Sequence, residues 1–483
     1  MRKQFKRLII GLLAAAMTGC AGAVSKTETD TPQEQTETAA QTKTYLSEAD
    51  IEIKDTLENT ADGEHAITAD GEEVSYANTA VNKSGEASGD EADFYGANAA
   101  VFATNGAALD LKEMVIKTNG THANAVFSYG SGTIVHIADS VIETTGNCSG
   151  GLMTTGGGTT KAENLTVHTT GNSSAAIRSD RGGGTVTVTG GSYTAEGKGS
   201  PVVYSTADIT VTDALMKSTS AQGIVVEGKN SVTLNNVELY ADNNSKNSDK
   251  SDWFQAVMIY QSMSGDAAQG KASFAMNGGS LTNANGDIFF VNNTTADISL
   301  SNAEIINNDA SGNFLRAAAA GWGREGSNGG HVNMYAKKQP ISGNMLVDGV
   351  STLNLYLDDA SSFQGAINPD GQEGEVYVEI KNGSVWKLSA DSYITSLTCE
   401  ADSIDLNGHT LYVSGEAYKE GTASQGEAVE TVVSSDGSQG VMPDGQPPEK
   451  PPGDGSSHGQ PPEKPPGDGF GGGEPPARPE DQE

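Results

Sequence analysis

Through the middle of the chain, apolar or small residues recur at offsets 0, 2, 5 and 7. Clear copies are Leu109/Leu111/Met114/Ile116, Val135/Ile137/Ser140/Ile142, Val186/Val188/Gly191/Tyr193, Ile209/Val211/Ala214/Met216, Val232/Leu234/Val237/Leu239, Phe274/Met276/Gly279/Leu281 and Ile298/Leu300/Ala303/Ile305, with weaker copies from Val74 and Thr160. The alternation has period two, so each copy predicts two short strands with a bend between offsets 2 and 5. A third apolar run precedes each copy, as in Val101-Phe102, Val126-Phe127, Leu152-Met153, Val202-Val203-Tyr204, Ile288-Phe289-Phe290 and Phe314-Leu315. Copies start at 74, 109, 135, 160, 186, 209, 232, 274 and 298, and most steps are 23 to 26 residues. Three strands per ~24 residues, with Gly, Asn and Ser at the corners and no helical period, predict an all-β chain: one right-handed parallel β-helix. A leucine-rich repeat has a similar period but requires fixed Leu and Asn positions and a helical half, which are absent. Roughly a dozen coils stacked ~4.8 Å apart make a rod of about 60 Å.

Interruptions of the repeat are where function is inserted into such folds. The step from 232 to 274 contains two additions, Asp242 to Phe254 before a coil's first strand and Gln261 to Lys271 after it. A third, Arg316 to Gly330, leaves from the same corner as the second with one plain coil between, so the two are expected to touch. That third loop places Arg316, Trp322, Arg324 and His331 together in a chain poor in Trp, Arg and His. With Trp253 they are the candidate ligand-binding residues, because a Trp ring stacks on a sugar face and Arg forks a carboxylate. The competing reading is a packing lid, with Ala317 to Ala320 as one helical turn and Trp322 lying on an exposed coil edge.

The ends of the chain differ from the middle. Residues 1–19 read as a signal peptide, with Arg2, Lys3, Lys6 and Arg7 ahead of an apolar stretch too short to span a bilayer. The closing Met17-Thr18-Gly19-Cys20 resembles the lipobox of bacterial lipoproteins, with Met where Leu is usual. That resemblance implies acylation of Cys20 and anchoring at the outer face of a bacterial cell membrane. Residues 20–64 are expected to be a disordered tether, 65–415 the β-helix and 416–483 an acidic, Pro/Gly-rich disordered tail in which QPPEKPPGDG occurs twice.

The chain of 483 residues carries 29 Lys+Arg against 63 Asp+Glu, a formal charge of −34. Such a balance repels phosphate backbones and polyuronates, and no basic cluster lies outside the first seven residues, so nucleic acid is excluded as a partner. Three cysteines, Cys20, Cys148 and Cys399, make no disulfide framework. The histidines never fall two or four apart, which argues against a zinc site, and no cofactor motif is present. A lyase needs clustered carboxylates with a base, and a glycosidase needs two facing carboxylates. The residues expected to face outward at offset 1, namely Asp110, His136, Lys161, Thr187, Thr210, Thr233, Ala275 and Ser299, form no acidic row.

The coils, followed by Gly383-Ser384-Val385-Trp386-Lys387-Leu388, Ile394, Leu397, Ile404-Asp405-Leu406-Asn407-Gly408 and Leu411-Tyr412-Val413, resemble the pertactin-like passenger domains of bacterial surface adhesins. They are also similar to β-helical surface lipoproteins of Gram-positive gut bacteria, a group that brings no site residues with it. The chain departs from autotransporters in lacking a C-terminal translocator pattern. The resemblance implies a cell-surface adhesin that binds a glycan or a surface protein. A β-helical polysaccharide lyase or glycosidase, and a passive rod, are the alternatives.

Overall fold

A computed structural model describes residues 45–431. The predicted signal peptide, Cys20 and the Pro-rich repeats lie outside the described residues. The described chain is a stack of parallel coils, each contributing one strand to each of three ladders. The first ladder is an 11-stranded sheet from Ile67–Asp70 to Met345–Val347; the other two belong to a 21-stranded sheet. Past Glu304–Asn307, the third position is taken over by a 4-stranded sheet running from Pro340–Ser342 to Ile404–Asp405.

The register follows the apolar pattern. Val74 pairs with Leu109 and Leu109 with Val135, and the column continues through Thr160, Val186, Ile209, Val232 and Phe274 to Ile298. All nine repeat starts thus occupy one column, which runs on through Met334, Leu355, Val378 and Leu397. These side chains, with Leu111, Ile137, Val188, Val211 and Leu234 two residues on, form one continuous core along the coils. Burying each large aliphatic side chain contributes roughly 1.5–3 kcal/mol, and the stack repeats that contribution coil after coil. Trp386 closes the far end, fully buried against Phe363 with its indole N–H donating to the Gly365 carbonyl at 3.0 Å.

One corner explains the recurrent glycine of TNGT, TTGN, TTGN and AEGK. At Gly120, Gly146, Gly171 and Gly197 an added Cβ would lie 1.8–2.0 Å from the carbonyl oxygen of the preceding coil's glycine. Only glycine lets the coils approach there.

Three boundaries depart from the sequence reading. The described fold begins within the expected tether: Asp55–Asn59 pairs in parallel with Thr79–Lys83, although its exposed, polar composition hid it. At the other end, Ser424 bridges Cys399, and Val429 exchanges two hydrogen bonds with Asn354 at 3.0 Å, so the expected tail starts on the rod. Finally, the long step from 74 to 109 holds a fourth insertion, residues 84–98, with a short helix Asp90–Phe94. It is too short to leave a helical period in the sequence.

Candidate functional site

Outward residues of the first ladder form a column Phe102, Phe127, Met153, Arg178, Tyr204, Val225, Met258, Phe290 and Arg316. Most of these would be costly to expose, and they are covered. Insertion 84–98 lies over one end, where Thr155 Oγ1 donates to the Phe94 carbonyl at 2.7 Å and Phe127 and Met153 are fully buried. The other three insertions lie toward the opposite end, where the first and third of them contribute Trp253, Ala318, Ala320 and Trp322 to a second apolar cluster with Val225, Met258, Tyr260 and Phe290 of the strands.

The second and third loops, expected to touch, are joined through Asn293 of the coil between them, while the third loop meets the first directly. Gly321 N–H donates to the Lys250 carbonyl at 2.7 Å, joining the third loop to the first. Asn293 bridges the others, donating through Nδ2 to the Gln261 carbonyl at 2.9 Å and through its backbone N–H to the Asn328 carbonyl. Asn328 Nδ2 in turn donates to the carbonyls of Ala320 and Trp322 at 2.6 and 2.8 Å. Such paired amides satisfy backbone groups that a buried loop would otherwise orphan.

Most of the proposed ligand-binding residues build this body instead of presenting themselves. Trp322 is 9% exposed and meets Tyr260 edge to face at 5.2 Å. Trp253 is half-buried against Phe290 at 5.5 Å, with the Arg316 guanidinium 4.5 Å over its ring. Arg316 Nε donates to Asp287 Oδ2 at 2.6 Å, so its charge is already matched by a buried carboxylate. His331 lies in strand Gly330–Lys337 of the second ladder, apart from the aromatic cluster, 3.1 Å from Thr352 Oγ1; burial holds its pKa below the usual value. Only Arg324 is exposed. The lid reading therefore describes Trp322, Trp253 and Arg316, although Ala317–Ala320 makes no helical turn. On the outside of this crest stand Arg324, Asp252 and Met263, the last 63% exposed.

Between the two lids lies a charged cluster that the sequence did not reveal. Arg178 pairs with buried Asp180 at 2.6 Å. Arg181 reaches both lids at once, to Asp90 at 2.9 Å and Asp266 at 2.5 Å, and its guanidinium stacks 3.7 Å over Phe94. Glu227, 1% exposed, accepts hydrogen bonds from the hydroxyls of Tyr204 and Tyr260. Burial pushes the Glu227 carboxyl up to about 6 against those donors. Both carboxylates are enclosed: Asp180 is matched by Arg178 and Glu227 by the two tyrosine hydroxyls, while Arg181 ties the lids together.

A second cluster sits at the glycine-rich corner, under the 84–98 insertion. Residues 122, 148, 173 and 199 occupy the same place in successive coils, as His, Cys, Ser and Gly, all in the left-handed backbone region with φ of 55°, 54°, 54° and 65°. His122 Nδ1 lies 2.8 Å from Asp93 Oδ1 of the short helix, and the donor atoms of Asp93, His122 and Cys148 all lie within 4.8 Å of one another. The Asp93 carboxylate, and then Cys148, push His122 up to about 9 despite its burial. Histidine spacing along the chain does not reveal this cluster. In a coiled stack the separation that makes neighbours is one coil, and 148 − 122 = 26 residues is the step already seen between strands Val126–Tyr129 and Leu152–Thr155.

No family model, curated protein or solved structure matches the chain.

Proposed function

We propose that the mature protein is a lipid-anchored cell-surface rod of adhesin type, held by acyl chains on Cys20, which binds a glycan or a surface protein. Its contact surface is the crest made by loops 242–254, 261–270 and 318–329. One observation carries this reading: three of the four insertions that break the repeat are linked on one face, over an aromatic cluster to which loops 242–254 and 318–329 contribute. Insertions confined to one face of a solenoid are the usual way such rods acquire a binding surface. Trp322, Trp253 and Arg316 shape the crest, while Met263 and Arg324 stand on its surface. An exposed, adaptable thioether and an exposed guanidinium suit a neutral glycan or a protein patch. The −34 charge of the chain disfavours a polyanion.

The test is a glycan array with product analysis on the full chain carrying Cys20→Ala, beside a Met263→Glu/Arg324→Ala double variant. The double variant is expected to lose at least ten-fold in binding with an unchanged melting temperature, since both side chains are exposed. Equal binding by the two proteins would remove the crest as the site, and product release would replace binding with cleavage. Cys20→Ala is also expected to move the protein out of the membrane fraction, because the acyl chains supply nearly all membrane affinity.

A further inference from the structure

The corner cluster offers a chemistry unrelated to the crest. Asp93, His122 and Cys148 come from three separate segments: the inserted helix and two successive coil corners. A carboxylate oxygen, an imidazole nitrogen and a thiol are the donor set of a borderline-soft divalent cation. His122 is 9% exposed, and although Asp93 Oδ1 is 2.8 Å away, Nδ1 makes no hydrogen bond of acceptable direction with it or with any other group. A buried imidazole nitrogen that faces a carboxylate and a thiol without a directed hydrogen bond is unusual, because buried polar groups are normally hydrogen-bonded.

The geometry also separates metal binding from nucleophilic catalysis. In a Cys-His-Asp relay the thiol and the carboxylate use opposite ring nitrogens, which holds them about 7 Å apart with ordinary hydrogen-bond lengths. Here those two atoms lie within 4.8 Å, closer than a relay through opposite ring nitrogens allows. Donors around a tetrahedral zinc ion stand ~3.5 Å from one another, so small side-chain rotations close this cluster onto a common centre. The Cys148 and Asp93 side chains are only half-buried, so solvent reaches the cluster.

We propose that Asp93, His122 and Cys148 bind one zinc-type divalent cation, pinning the 84–98 insertion to the coil corner. Binding puts the metal in place of the thiol proton of Cys148 and of the proton that Asp93 favours on the His122 imidazole, and releases both. The proposal stands apart from the crest, which shares none of these residues.

The test is Zn(II) titration of the chelator-stripped full chain with Cys20→Ala, followed by substitution with Co(II). One equivalent should bind, and the Co(II) protein should show thiolate-to-metal charge-transfer absorption. Cys148→Ser should bind at least ten-fold more weakly and lose that absorption. Ser173 already occupies the equivalent corner of the next coil, so this variant should melt like the parent when both are metal-free. His122→Asn, which also suits the left-handed backbone, and Asp93→Asn should weaken binding without abolishing the fold. A parent chain that takes up no Zn(II) overturns the proposal. So does Cys148→Ser binding as tightly as the parent, which would place the metal among the surface carboxylates.

Discussion

Two of the three outward faces of the rod are built from the same kind of strand yet live in different surroundings. On the second ladder the outward column Asp110, His136, Lys161, Thr187 and Thr210 is polar and open to water. On the first ladder the equivalent column carries Phe127, Met153, Val225, Met258 and Phe290, and all are buried under insertions. Strands alternate in polarity when one face meets water and read as continuous apolar runs when both faces are covered. Val257-Met258-Ile259 and Ile288-Phe289-Phe290 are such runs, with Phe289 packing inward between Phe274 and Phe314, and Phe290 packing outward beneath Trp253. The face that looks most like a second core is therefore the one that acquired lids.

That contrast breaks most sharply at paired sites. Phe290→Ala should destabilise by ~3–5 kcal/mol through lost burial and a cavity between sheet and lid, whereas Thr210→Ala should cost under ~0.5 kcal/mol. Thermal or denaturant unfolding of the two variants measures the difference, and similar values would mean that the lids do not bury the first face. Next in size is Arg316→Met, expected to cost about 3 kcal/mol, because it leaves the Asp287 carboxylate, 3% exposed, without its cation. A much smaller loss in denaturant unfolding would place the Arg316 contact at the surface.

A pH effect of about 2 kcal/mol is expected from Glu227. Its folded pKa of about 6 lies above the ordinary value of 4.5, so the folded state binds the proton more tightly than the unfolded chain. The stabilisation is complete below about pH 4.5 and is lost as pH rises through about 6. The stability of the parent relative to Glu227→Gln, followed from pH 4 to 7, should fall by that amount, and a flat difference would show that Glu227 is solvated. Smallest is the open face: the exposed ion pair of Lys271 with Asp297 should contribute no more than ~1 kcal/mol, measured as the cost of Lys271→Met, and should fade in high salt.

Legibility of the sequence followed the range of the interactions. Coils one period apart are in direct register, so the columns Val74 to Ile298 and Tyr76 to Leu300 could be read from spacing alone. Insertions showed as excess length, and their shared corner followed from counting. The roles of the inserted residues were not legible. Trp322 and Arg316 look alike in sequence whether they face a ligand or a lid interior, and the difference is made by Tyr260 and Asp287, 62 and 29 residues away. The strand Asp55–Asn59 escaped notice because it is an edge strand with little apolar surface.

By itself, then, the sequence determined the parallel β-helix, its register, the core and the places where the repeat is interrupted, because a fixed period turns each packing contact into a recurring local pattern. Only the tertiary structure decided which outward face is covered, that Arg181 ties two lids together, and that Asp93 meets His122 and Cys148. Those contacts join inserted loops to the coil surface at separations that follow no period. They depend on how each loop folds back over the rod, and that path is set by packing instead of by spacing.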